Sequence, residues 1–130
     1  MLLISCSFKD IIVIKDKNVE IKREYHTNGK LQYEMTYKYG QLDGLTKTWD
    51  EKGKLLSRVE YKSGLNHGKW ETFYKNGQLK NLTIYQYGKK HGMEIWYHQN
   101  GKKQSEVLYE NDKIQSRLLR WDEKGNQIIN

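Results

Sequence analysis

Four histidines, one cysteine and a scatter of carboxylates are the residues of this 130-residue chain that could do chemistry. A metal site needs imidazoles that converge on one point. His67 and His91 stand 24 positions apart in matching surroundings. If 24 residues is a structural period of two strands, they are roughly 10 Å apart. One ion cannot bridge that gap at about 2.0 to 2.1 Å per bond. His26 and His98 lie three periods apart at the opposite turn edge. No metal and no cofactor are therefore expected, and His67 and His91 are assigned to the turn that precedes each strand. Cys6 has no histidine nearby in sequence, and neither a Gly-x-Ser-x-Gly elbow nor a phosphate-cradling glycine loop occurs. Glu34, Glu60 and Glu71 fall on different segments, as solvated surface carboxylates do. No catalytic residue is expected, the chain does not read as an enzyme, and the search moves from a site to a surface.

The elements that would carry such a surface are repeats. Gly29, Gly53, Gly77, Gly101 and Gly125 recur every 24 residues, and four positions before them stand Tyr25, Trp49, Phe73, Tyr97 and Trp121. Tyr37, Tyr61, Tyr85 and Tyr109 keep the same period, as do the pairs Gly40 with Gly44, Gly64 with Gly68, and Gly88 with Gly92. At the next step Asp112 and Ser116 replace the pair. A fixed period with atypical end units means one supersecondary unit copied and stacked, each copy touching mainly its neighbours.

Between these glycines the segments are seven or eight residues long and rich in Tyr, Val, Ile, Thr and Trp, the signature of strands. Each repeat holds two, for example 30–38 and 44–49, joined alternately by the Gly-x-x-x-Gly turn and by a turn such as Asp50-Glu51-Lys52-Gly53. A three-residue loop of that kind sets 50 opposite 54 and 49 opposite 55, with Tyr25–Leu31 and Phe73–Leu79 equivalent. With a leading hairpin at 8–14 and 19–25, about ten strands form an all-β antiparallel meander of 24-residue two-strand repeats, one long twisted or curled sheet nearly 50 Å across. Residues 1–24 are expected to act as an N-terminal strand or cap, 25–110 as regular repeats and 111–130 as a C-terminal cap of a single domain. The expected core face is odd-numbered throughout: Met35, Tyr37, Val59, Tyr61, Tyr85, Ile95, Val107, Tyr109, Leu119 and Trp121.

On the even-numbered face, Gln32, Glu34, Thr36, Thr46 and Thr48 give way to Trp70, Leu82, Ile84, Trp96, Leu108 and Leu118. Alternation predicts that these six are exposed on five consecutive strands, an apolar stripe suited to a protein partner with tryptophan anchors.

A net charge of +7 favours anionic partners, an acidic protein or a phospholipid surface, and no nucleic-acid motif accompanies it. One cysteine excludes an internal disulfide. Leu3-Ile4-Ser5-Cys6 has the shape of a lipobox, but only five residues precede Cys6, fewer than a signal needs. Two readings stand: a start placed too late in a lipid-anchored protein, or an apolar edge strand with a buried thiol. The expected location is correspondingly cytoplasmic or membrane-anchored, and open edge strands leave the oligomeric state open.

The run from Phe73 through Trp96, Asn-Gly followed by Tyr-x-x-Gly-x-x-His-Gly, resembles the bacterial variant of the MORN (membrane occupation and recognition nexus) repeat. The resemblance spans residues 19–130, with departures at Lys103, Asp112, Ser116 and Gln127. It implies a non-catalytic β-repeat binding protein. Bacterial members are commonly described as antitoxin-like, and others are lipoproteins. The two functions so implied are an antitoxin-like or immunity-like module docking a protein on its aromatic face, and a lipid-anchored protein binding anionic lipid.

Overall fold

The computed structural model describes the backbone of residues 9–13 and residues 18–129. Cys6 and the strand expected around it lie outside these residues. One sheet is formed by β1 (Lys9–Val13), β2 (Val19–Tyr25), β3 (Leu31–Lys38), β4 (Gln41–Trp49), β5 (Leu55–Lys62), β6 (Leu65–Phe73), β7 (Leu79–Gln86), β8 (Lys89–Tyr97), β9 (Lys103–Glu110), β10 (Lys113–Ile114) and β11 (Leu119–Arg120). Strand order is chain order up to β10, every pairing is antiparallel, and β11 also pairs with β9, so β10 and β11 are two halves of one interrupted strand. The sheet is an open meander, not a closed barrel.

Two kinds of turn alternate. At Asn-Gly and Lys-Gly, Trp49 faces Leu55 and Asp50 N–H donates to Lys54 O at 2.9 Å, as the loop length predicts. One residue further, Thr48 faces Ser57, so Leu56 is an extra residue in a β-bulge. The other connection is tighter than Gly-x-x-x-Gly suggests. Lys62 faces Leu65 across only Ser63-Gly64, whose φ values of +50° and +80° are those of a type I′ turn. The second glycine of each pair belongs to a separate bulge: Val59 faces Trp70 while Tyr61 faces Asn66, two extra residues on β6. At Gly92, in the same place one repeat on, φ is +124° and an added Cβ would sit 3.0 Å from Ile84 Cβ.

These turns decide which side chains share a face. Lys62–Leu65 pairs an even with an odd position, and the bulge after Trp49 does the same, so odd residues of one strand lie beside even residues of the next. The uniformly odd core face is therefore corrected: it holds on β3, β5, β7 and β9 and inverts on β4, β6 and β8. Ile95 stands opposite Leu82, and Leu119 opposite Glu106, on the other face.

No second layer covers either face among the described residues. Val59 and Val107 are the only buried apolar side chains there, both on the face with the tyrosines; Asn81 and Thr83 are buried beside them.

Candidate binding surface

One face, here the tyrosine face, carries the row Met35–Thr46–Val59–Trp70–Thr83–Glu94–Val107, each residue directly opposite the next. Flanking it are Tyr37, Tyr61, Tyr85 and Tyr109, spaced by two strands, roughly 10 Å. Trp70 packs on Tyr85 with ring centroids 5.6 Å apart. Two ammonium groups lie over rings of this ladder, Lys22 on Tyr37 at 4.5 Å and Lys90 on Tyr109 at 4.7 Å. Asn81 Nδ2 donates to Ile95 O, and the Thr83 hydroxyl lies 3.1 Å from Asn81 Oδ1 and 3.3 Å from Glu94 Oε1, whereas Thr46 Oγ1 in the same row is buried without a partner among the described residues. Lys90 Nζ completes the set at 2.7 Å from Glu94 Oε1. Burial would lower the Lys90 ammonium, but Glu94 outweighs it and raises it above its ordinary value. Burial raises the Tyr85 phenol.

The opposite face carries the row Arg23–Glu34–Lys47–Arg58–Glu71–Leu82–Ile95–Glu106–Leu119. Its first half is ion-paired, with Glu34 2.8 Å from Arg23 and 3.2 Å from Lys47, and Arg58 2.8 Å from Glu71. Burial alone would raise the Glu34 carboxyl, yet Arg23 and Lys47 hold it below its ordinary value of 4.5. Its second half is apolar at Leu82, Ile95 and Leu119, with Glu106 among them paired to Lys103.

Stacking is carried at the sheet's two turn edges by bonds between equivalent turns. His26 Nε2 meets Trp49 O at 2.9 Å, Tyr74 Oη donates to Tyr97 O at 2.7 Å, and His98 Nε2 meets Trp121 O at 2.8 Å. Asn28, Asn76 and Asn100 likewise reach the next turn. Where the asparagine is replaced by Lys52, Asp50 takes over within its own turn, and the Lys54 and Lys52 amides it binds hold its carboxyl below the usual range. At the other edge His67 Nδ1 accepts the Tyr87 N–H at 3.3 Å, the role that Asp43 plays for Ser63. His67 thus serves a turn, one repeat beyond its own.

The six residues read from the sequence as one stripe are divided. Trp70 and Trp96 lie on the tyrosine face, opposite Thr83 and Ser105. Leu82, Ile84 and Leu108 lie on the other, opposite Glu71, Lys69 and Met93. Leu118 is exposed in the interruption between β10 and β11. The physical reason is the odd-to-even pairing at both turns. Strict alternation hides the fact that Trp70 shares its face with the tyrosine ladder; the dipeptides Tyr39-Gly40 and Ser63-Gly64 were the available signal, because a two-residue turn with glycine second inverts the alternation.

A family profile described as a MORN repeat variant matches residues 21–39, 42–63, 66–87 and 90–111, well over half the chain. Each matched span is one Asn-Gly or Lys-Gly hairpin, and successive spans are separated by the type I′ turns at Tyr39-Gly40, Ser63-Gly64 and Tyr87-Gly88. No curated protein matches the chain.

Proposed function

Because the chain belongs to the MORN repeat variant family, whose repeats are associated with binding of membranes or of proteins, we propose that it is a non-catalytic module that docks a protein partner on its tyrosine face. The finer form of the proposal is an antitoxin-like or immunity-like role, in which the partner is a toxic protein held inactive. One observation carries the docking reading: a face with Trp70, Met35, Tyr33 and the four-tyrosine ladder lies under no second layer among the described residues, and Trp96 at its end is 38% exposed. Aromatic anchors on a rigid open sheet meet the requirements of an interface core, since tyrosine and tryptophan bury large area with few rotatable bonds. Lys22 and Lys90 on the same face pair with Glu20 and Glu94, so the surface offered is aromatic with its charges balanced. The test is capture from native cells by the tagged chain and by its Trp70→Thr variant, in which position 70 receives the residue found at position 46. A partner retained equally by both sinks the proposal, and co-expression with a captured toxic partner tests the antitoxin role.

A second reading, an anionic membrane surface, rests on a different feature. Tyr39 and Tyr87, 72% and 59% exposed, stand at the tips of type I′ turns on one sheet edge near Lys38 and Lys89. Amphipathic rings beside ammonium groups suit a lipid headgroup region. Sedimentation with phosphatidylserine vesicles, lost in Tyr39→Ser with Tyr87→Ser, supports this reading; no sedimentation removes it.

A further inference from the structure

At the end of the tyrosine face one row departs from the pattern of its equivalents. Directly opposed positions read Thr48–Ser57 and Thr72–Asn81 in the two middle repeats, small polar side chains that stand level with one another, while the first repeat has Glu24–Tyr33. In the last repeats the row reads Trp96–Ser105–Arg120. A serine between an indole and a guanidinium leaves a notch two strand spacings wide, roughly 10 Å. A groove of about 680 Å³ lies there, bordered further by Gln104, Asp122 and Glu123, within the roughly 300 to 1,000 Å³ of small-ligand sites.

The polar groups around this groove are largely uncommitted. The Trp96 indole N–H, the Gln104 amide, the Ser105 hydroxyl, the Arg120 guanidinium and the Glu123 carboxylate have no hydrogen-bond or ion-pair partner among the described residues, whereas Asp122 is held by Asn126 in its own turn. The charges argue against an ionic ligand. A cation attracted to Trp96 and Glu123 meets Arg120, and an anion attracted to Arg120 meets Asp122 and Glu123. What the set offers is the open Trp96 indole, with the Trp121 indole beside it already covered on one face by the Lys103 ammonium at 5.2 Å, surrounded by both donors and acceptors.

We propose that this groove binds a neutral carbohydrate, with a pyranose ring laid on the Trp96 indole and its hydroxyls bonded by Arg120, Gln104, Ser105 and Glu123. The C–H face of a sugar is weakly positive and meets the negative face of the indole. Each hydroxyl donates once and accepts twice, which suits carboxylate, amide and guanidinium together. A shallow, open site of this kind gives affinities on the order of millimolar. The site shares Trp96 with the end of the docking face, but docking centres on Trp70 and the sugar titration uses no protein partner, so the two proposals fail separately.

The purified full chain is titrated with cellotetraose, maltotetraose, xylotetraose and chitotetraose while the indole N–H resonances of its four tryptophans are followed by NMR. Saturable movement of the Trp96 resonance with at least one sugar is expected. Trp96→Thr should weaken that binding at least tenfold and Trp70→Thr less than twofold. Should Trp96→Thr fail to fold, Arg120→Ala alters an exposed side chain and should weaken binding several-fold. No response to any of the four sugars overturns the proposal. So does binding unchanged in both groove variants, or a Trp96 response confined to adenosine monophosphate or to acetyl-lysine amide, which would mark the groove as a charged-ligand site.

Discussion

Gly92→Ala tests the device that offsets the strands. Gly92 has φ +124°, far from the left-handed helical well near +57°, and its missing Cβ would lie 3.0, 3.2 and 3.4 Å from Ile84 Cβ, Cγ2 and Cγ1. Two costs follow. The backbone strain of a side chain at such a φ is about 1 to 3 kcal/mol. The steric cost is of similar size, about 1 to 3 kcal/mol, because Ile84 is β-branched and cannot swing aside at χ1. Together they amount to roughly 2 to 6 kcal/mol, a large part of the stability of a chain this size. Gly29 is the control: φ is +80° and nothing lies within 4 Å of its would-be Cβ, leaving about 1 to 2 kcal/mol. Urea unfolding of both variants, read as midpoint shifts at constant slope, gives the comparison. Adding Ile84→Ala to Gly92→Ala should recover about 1 to 3 kcal/mol relative to the sum of the single changes, since the clash goes and the strain stays. Equal costs at positions 29 and 92, or no recovery in the double variant, would falsify this explanation of the bulge.

Other expectations concern the edges and the ion pairs. Tyr39 occupies the first position of a type I′ turn at φ +50°, so Tyr39→Asn should raise stability by roughly 0.5 to 1 kcal/mol in the same unfolding assay. Tyr87→Asn should gain less, since it gives up the ring contact with His67 at 4.7 Å. Asn76→Ala removes the bonds to Gln99 O and from Gln78 N–H and should cost about 1 kcal/mol, with hydrogen exchange quickening first in its own turn. Glu34 titrates below its ordinary 4.5 in the fold, so its ionised form stabilises the protein above that value, and the contribution is lost as pH falls through the lowered folded-state value. Glu34→Gln should therefore flatten the decline of the urea midpoint between neutral pH and roughly pH 3, and a decline as steep as in the parent chain contradicts the pairing with Arg23 and Lys47.

Periodicity makes most of the fold legible in the residues themselves. The glycines at 24-residue spacing, the three-residue loops and the pairs Tyr25–Leu31, Trp49–Leu55 and Phe73–Leu79 all stand in the sheet as the spacing predicts. The face assignment is not legible from alternation alone, because alternation survives within a strand and says nothing of the parity change at a turn. Leu56 shows this most directly: one extra residue after Leu55 lets Ser57 face Thr48. The stripe from Trp70 to Leu108 is consequently split, and Trp70 joins the tyrosines. The stacking bonds of His26, Tyr74 and His98 are invisible in the sequence for another reason, since they join residues 23 apart through backbone carbonyls, which carry no sequence signature.

The most direct test compares the two faces. Tagged parent chain, Trp70→Thr and Leu108→Thr are used for capture from native cells, with folding of each checked by urea unfolding and retained proteins quantified by mass spectrometry. Docking on the tyrosine face predicts a stoichiometric partner held by the parent and by Leu108→Thr and lost from folded Trp70→Thr. A partner lost from Leu108→Thr and kept by Trp70→Thr would place the interface on the opposite, ion-paired and apolar face, and would contradict the docking surface proposed.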